Sequence, residues 1–141
     1  MGVTRYLIDK SALARLHVPI VRDVLVPLME RGLVAMSGPT ELELLYSARN
    51  LEERSRMKDR FRASCDLVDT PDDLWRRSMD LQEAMTEQGQ HRAPGIVDLV
   101  IAVTAHAHRL TVLHYDSDFD TIAEFTEQPT RWVVPPGAAE S

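Results

Sequence analysis

A single cysteine, Cys65, is too few for an internal disulfide or for a zinc site built from several thiolates. That scarcity fits a reducing compartment, and Cys65 itself reads as a small buried hydrophobe. No apolar stretch approaches the roughly 20 residues that cross a bilayer, and the first residues lack a signal-peptide pattern. The expectation is a cytoplasmic protein with no membrane association. Excess basic charge is also missing: the net charge is -6, which by itself disfavours a plain phosphate-binding surface. The objection weakens if several acids converge on a cation, because the cation inverts the local sign. Repeats, low-complexity tracts and interdomain linkers are absent too. With 44% hydrophobic and 27% charged residues, the composition is that of an ordinary globular protein. One domain over residues 1–136 is expected, with Pro135-Pro136-Gly137 opening a loose tail over 137–141.

Short apolar runs alternate with helical periodicity. Tyr6 to Asp9 reads as a buried strand, followed by Ser11 as a candidate helix cap. Ile20, Val21, Val24, Leu25 and Leu28 give residues 18–31 a helical period, with a kink or break expected at Pro27 and a stop at Gly32. Leu33 to Met36 is a second strand. Gly38-Pro39-Thr40 opens a helix to about Ala48, and another runs from Leu51 to Ala63. Residues 65–68 make a third strand. Thr70-Pro71-Asp72-Asp73 precedes an amphipathic helix to about Gln88. Residues 96–108 form a helix that is apolar nearly all round, and therefore buried. Residues 111–114 form a fourth strand, 119–124 a short helix, and 132–134 a last strand. Short apolar strands separated by helices imply an α/β fold with a mainly parallel sheet covered on both faces. In such sheets ligands gather beyond the carboxyl ends of the strands.

Several aspartates stand where the apolar pattern does not want them. Asp9 ends Tyr6-Leu7-Ile8, Asp98 interrupts Ile96-Val97-Asp98-Leu99-Val100, and Asp116 and Asp118 follow Val112-Leu113-His114-Tyr115. A buried, unpaired carboxylate costs several kcal/mol or takes up a proton. No neighbouring lysine or arginine serves all of them, whereas one shared divalent cation would. Magnesium and manganese want hard oxygen ligands and accept two to four converging carboxylates. Asp9 and Asp116 end two strands that meet if those strands are neighbours. Asp98 lies at a helix start, where the dipole alone also favours a carboxylate. For Asp116 and Asp118, two apart, an Asx-turn competes with ligation. Glu41 and Glu43 point about 200° apart on a helix, so only one faces the cleft. Glu43, beside Leu44 and Leu45, reads as the less exposed, and the pattern favours it only slightly.

Together, Tyr6-Leu7-Ile8-Asp9-Lys10-Ser11-Ala12-Leu13, Glu43-Leu44-Leu45-Tyr46, Asp98-Leu99-Val100-Ile101-Ala102 and Asp116-Ser117-Asp118-Phe119 resemble a PIN-domain ribonuclease. More closely, they resemble the VapC toxins of VapBC toxin–antitoxin pairs, over nearly the whole chain. The resemblance implies a PIN-like three-layer α/β/α fold and Mg2+- or Mn2+-dependent endonucleolytic cleavage of structured RNA, such as tRNA or rRNA. It also implies a VapB-type antitoxin that blocks the acidic cleft, and a homodimer. Residue by residue, Asp9, Glu43, Asp98 and Asp116 match the family's acidic quartet. Glu43 is preferred to Glu41 because the family's glutamate precedes a leucine and then a small residue. Asp9, Asp98 and Asp116 would hold the metal, and Glu43 would ligate or orient the attacking water. Asp118 matches a further acid, and Ser11 remains from the first motif. Two departures stand out: Lys10 replaces the usual threonine, and His114 stands where many relatives carry threonine or serine.

Other residues invite weaker readings. Arg92, in His91-Arg92, is a candidate phosphate contact. His106 and His108 fall on opposite helix faces and read as structural. Trp75 and Trp132 are expected in packing rather than base stacking. The run Arg49, Arg54, Arg56, Lys58, Arg60 and Arg62 reads as a solvated face paired with Glu52, Glu53 and Asp59. Leu44, Leu45, Tyr46 and Leu51 are a candidate partner surface. Haloacid dehalogenase-like phosphatases want an acid two residues after the nucleophile, where this chain has Ser11. The remaining alternative is a catalytically weak or inactive PIN-like module that only binds protein.

Overall fold

Strand register alone decides which side chains meet at the sheet's carboxyl end. The computed structural model describes residues 3–140. Its sheet has five strands: β1 (Tyr6–Ile8), β2 (Val34–Met36), β3 (Asp66–Leu67), β4 (Thr111–His114) and β5 (Thr130–Trp132). They lie in the order β3-β2-β1-β4-β5, and every pairing is parallel. The chain builds outward from β1 through β2 to β3, then returns to lay β4 on the free side of β1. The winding therefore reverses between β1 and β4, the place where open α/β sheets part to admit a ligand.

Among the described residues seven helices cover the sheet: α1 (Lys10–Leu13), α2 (Pro19–Glu30), α3 (Gly38–Leu45), α4 (Leu51–Ser64), α5 (Leu74–Glu87), α6 (Ile96–Ala107) and α7 (Asp118–Ala123). Alternation along the strands sends side chains to two cores. Leu7, Ala35 and Val112 join Leu81, Met85, Ile101 and Phe119 from α5, α6 and α7. Ile8, Val34, Met36 and Leu113 join Ala12, Val21, Leu25 and Leu44 from α1, α2 and α3. The result is three layers, with the sheet in the middle. Helix α6 is buried from Leu99 to Ala105, as its apolar sequence requires, while Ile96 at its start is 71% exposed.

Local signals end the elements as expected in some places and not in others. Gly32 adopts φ +70° and closes α2: its N–H donates to Met29 O, and the Leu33 N–H donates to Leu28 O. The helix runs unbroken through Pro27, because Val21 and Leu25 anchor its buried face and proline removes only one backbone donor. The cap of α1 is Asp9 rather than Ser11: Asp9 has the extended backbone of a cap, and its carboxylate accepts the Ser11 N–H. β5 lies two residues earlier than expected, because pairing sets His114 beside Trp132; Val133 and Val134 are buried just past it.

Residues 137–140 are packed rather than loose, and Ser141, the last residue of the expected tail, lies outside the described residues. The Tyr115 hydroxyl accepts the N–H groups of Gly137 at 2.8 Å and Ala139 at 3.0 Å, and donates to Glu140 Oε1 at 2.8 Å. Ala139 is buried in the core beneath α1. One phenol, two residues past Leu113 of β4, satisfies the backbone N–H groups of Gly137 and Ala139.

Candidate metal centre

At the carboxyl ends of β1 and β4 lies a cavity of about 220 Å³ lined by Asp9, Ser11, Glu43, Asp98 and Asp116, with Lys10 and Arg15 on its wall. Each acid arrives from a different element. Asp9 leaves β1, and its N–H donates to Leu113 O of β4, locking the two strand ends together. Ser11 extends that lock: its hydroxyl donates to Asp9 Oδ2 at 2.6 Å and accepts the Tyr115 N–H at 2.9 Å. Glu43 reaches in from α3 and Asp98 from the first turn of α6. Asp98 Oδ2 accepts the Gly95 N–H at 2.9 Å, so this acid is also the cap of its helix.

Asp98, Asp116 and Asp118 each offer a carboxylate oxygen within 4.8 Å of the other two. Asp9 faces the same cavity from the wall, outside that trio. The Asx-turn and the site are not alternatives at Asp116: Oδ1 accepts the Asp118 N–H at 2.9 Å, and the turn itself presents both acids. None of these acids, nor Glu43, forms a salt bridge with a described residue. Burial pushes the Asp98 carboxyl up to about 6, with repulsion from Asp9, Asp116 and Asp118 adding to it and the Gly95 N–H opposing. Burial likewise raises Asp9 against the pull of its Ser11 bonds, with Asp116 repulsion adding to the rise. Burial and the neighbouring Asp116 raise Asp118. Such a set stores repulsion that a cation would relieve. All the donors are oxygens, with neither thiolate nor imidazole facing the cavity, a set that fits a hard divalent ion.

The two glutamates of α3 part company. Glu41, not Glu43, is the buried one, at 8% exposure; it is held by Arg62 through bonds of 2.6 and 2.8 Å. That pairing holds its carboxyl below the usual range. The expectation that Glu43 has the more shielded face is thus reversed, although Glu43 is the one that reaches the cavity. Arg92 is exposed and does not line the cavity, because the loop it sits on ends before α6 turns inward.

His114 is fully buried between Phe119 and Trp132, with ring centroids 5.0 Å from each. Its Nδ1 accepts the Asp116 N–H at 3.1 Å, so the proton sits on Nε2, which has no partner among the described residues. Burial drops its pKa to about 4. Trp132 packs on His114 and Tyr115 and donates to Asp120, whereas Trp75 is 62% exposed and outside the core. His106 meets Arg77 and His108 meets Asp69 O, consistent with structural roles. The arginine run pairs Arg49 with Glu53 and Arg56 with Glu52, but Asp59 has no ion pair among the described residues. Burial pushes the Cys65 thiol up to about 12, which leaves it inert. Leu44 and Leu45 are core, which leaves Leu42, Tyr46 and Leu51 as the exposed part of their surface.

A larger cavity of about 330 Å³, lined by Arg77, His106 and Gln128 among others, lies at the other end of α6. It sets Arg77 beside Asp80 and Glu127 and lacks the converging carboxylates of the smaller cavity. Sequence reasoning missed Arg15, which lines the acidic cavity. The available signal was its spacing, four residues after Ser11, which returns a side chain to the same helical face.

Comparison with known proteins gives the family. Residues 6–125 match the PIN domain family. The chain is similar to Ribonuclease VapC21 of Mycobacterium tuberculosis, at 50% identity over 96% of this chain and 99% of that one. Ribonuclease VapC51 of the same organism is 42% identical, over 96% and 98%. In fold, the chain resembles VapBC2 from Rickettsia felis bound to a promoter DNA fragment, with a TM-score of 0.74 and 19% identity over 92% of this chain and 99% of that one. An acidic cavity at the sheet's switch point, full-length likeness to VapC proteins and a matching fold lead to one assignment: this chain belongs to the PIN-domain family, among its VapC members.

Proposed function

We propose that the chain is a divalent-metal-dependent endoribonuclease, the toxin of a VapBC-type pair, which hydrolyses phosphodiester bonds of structured RNA such as tRNA or rRNA. The observation that carries this reading is the group of unpaired acids where β1 and β4 diverge. Asp98, Asp116 and Asp118 would hold Mg2+ or Mn2+, with Asp9 on the same wall, directly or through water. The bound ion supplies positive charge to the phosphoryl oxygens and acidifies a ligating water. Glu43 would take a proton from the attacking water, whose oxygen joins phosphorus as the P–O bond to the leaving ribose oxygen breaks and that oxygen takes a proton from solvent. Ser11 fixes Asp9, and the His114 imidazole fixes the Asp116 backbone, so neither acid must reorganise when RNA arrives.

The solved VapBC complexes that this fold resembles pair such a chain with an antitoxin. A VapB-type partner for this chain would cover the acidic cavity and find apolar purchase on Leu42, Tyr46 and Leu51. A homodimer belongs to the same reading.

Purified protein incubated with total RNA and Mg2+ or Mn2+ should give discrete cuts that EDTA and Asp9→Ala abolish. Absence of cleavage with either ion, together with no metal-induced rise in melting temperature, would leave the protein-binding module as the better reading.

A further inference from the structure

We propose that Arg15 is a phosphate contact for the RNA beside the acidic cavity, held in place by the docked C-terminal segment; this rests on the nuclease reading above. Arg15 lines the cavity with Asp9, Ser11 and Asp98, yet forms no salt bridge with a described acid. Its Nη1 donates to Ser11 O at 2.8 Å, its Nε donates to Ala139 O at 2.9 Å, and its guanidinium lies 4.5 Å from the centroid of the Tyr115 ring. Both hydrogen bonds go to neutral carbonyls, so the charge is oriented without being neutralised. Nη2 bonds no described residue, so its two N–H groups, with the second of Nη1, are free for an incoming oxygen.

The chemistry needs such a group. An RNA backbone carries negative charge into a cavity of carboxylates, in a chain of net charge -6. A cation among the acids would pair with them and displace the metal; one at the rim, turned away from the carboxylates, compensates the substrate instead. Arginine suits that place because its planar fork binds phosphate oxygens, and its rotamer freedom is already lost to three contacts. The segment 137–140 acquires a purpose on the same terms. The Tyr115 hydroxyl gathers the Gly137 and Ala139 N–H groups, which places Ala139 O under Nε. The segment and the phenol thus act on RNA through Arg15, as positioning elements.

If Arg15 only anchored the segment, its loss would lower stability and leave substrate affinity alone. The test is steady-state cleavage of a short RNA spanning a cut site mapped with the wild-type protein, at saturating Mn2+, across a range of salt. Arg15→Gln should raise KM roughly ten- to hundredfold with kcat little changed. It should flatten the dependence of log KM on log salt by about one charge. Arg15→Lys should restore the salt dependence with only part of the affinity. Tyr115→Phe keeps the ring under Arg15 but releases the segment, and should give an intermediate KM. Mn2+ binding should be the same in all three variants. A wild-type protein that cuts RNA while Arg15→Gln keeps its KM and salt dependence overturns the assignment alone. Loss of kcat or of Mn2+ binding with KM unchanged overturns it as well, by making Arg15 a support for the acids. A wild-type protein that cuts no RNA overturns the nuclease reading, and this contact with it.

Discussion

Two acidic regions lie on different faces of α3, and they treat the same side chain in opposite ways. On the α3–α4 surface three glutamates each have an arginine: Glu41 with Arg62, Glu52 with Arg56, Glu53 with Arg49. There the carboxyls of Glu41 and Glu53 are held below their ordinary range by those partners. In the cavity, Asp9, Asp98 and Asp118 sit above theirs, pushed up by burial and by one another. The first region satisfies its charges with protein. The second leaves its charges unsatisfied in the described chain, which folding alone does not favour. Glu41 and Glu43, two residues apart, mark the border between them.

The largest difference should appear in catalysis. Asp98→Asn or Asp116→Asn should lower RNA cleavage by roughly 10³-fold, whereas Glu41→Gln should stay within a few-fold of wild type. Equal losses in the two regions would erase the distinction. Stability should run the other way. In EDTA, Asp98→Asn keeps an acceptor for the Gly95 N–H and removes a repelled charge, so its melting temperature should rise by a few degrees. Glu41→Gln should lower it by roughly 2–5 °C, since it breaks a two-bond guanidinium–carboxylate contact. Differential scanning calorimetry reads both.

A smaller effect is the pH dependence of stability without metal. Asp98 has a folded pKa of about 6 against an ordinary value of 3.8. Between those values the folded state binds more protons, so this group's contribution falls as pH rises towards 6. Asp9 and Asp118 act in the same sense. His114 opposes them: its folded pKa is about 4 against 6.5, so the unfolded state binds more protons and stability rises with pH. Glu41 titrates below this window, because its folded carboxyl is depressed from 4.5 and its contribution is lost only on further acidification. Near pH 5 the Asp98 and His114 slopes largely offset, and above about pH 6 the histidine slope is the steeper. Asp98→Asn should uncover the histidine slope, with melting temperature rising more steeply with pH than in the wild type. Identical slopes would contradict the proton assignments. Least of all, Glu53→Gln on the exposed α4 surface should change neither activity nor melting temperature measurably.

What the sequence disclosed, and what it hid, follows from the range of the interactions. Asp9, Asp98 and Asp116 are conspicuous because each breaks an apolar run locally, and the strand–helix alternation places two of them at strand ends. The all-parallel sheet and its covered faces are legible for the same reason. Glu41 and Glu43 are not separable in this way, since Arg62 settles the matter from 21 residues away. β5 slips by two residues because its partner β4, not its own valines, sets the register. The docking of 137–140 depends on one hydroxyl, that of Tyr115, more than twenty residues earlier. Arg92 is placed near Asp98 by sequence but not by the fold, and Arg15 the reverse.

If the cavity acids go unpaired because they share a divalent ion, the metal-free protein should bind one. Calorimetric titration of metal-free protein with Mn2+ tests it, comparing wild type, Glu41→Gln and Asp116→Asn. The expected result is saturable binding by the first two and its loss in the third, with a melting temperature that climbs with Mn2+ only where binding is seen. Equal binding by wild type and Asp116→Asn, or none by the wild type, would contradict it.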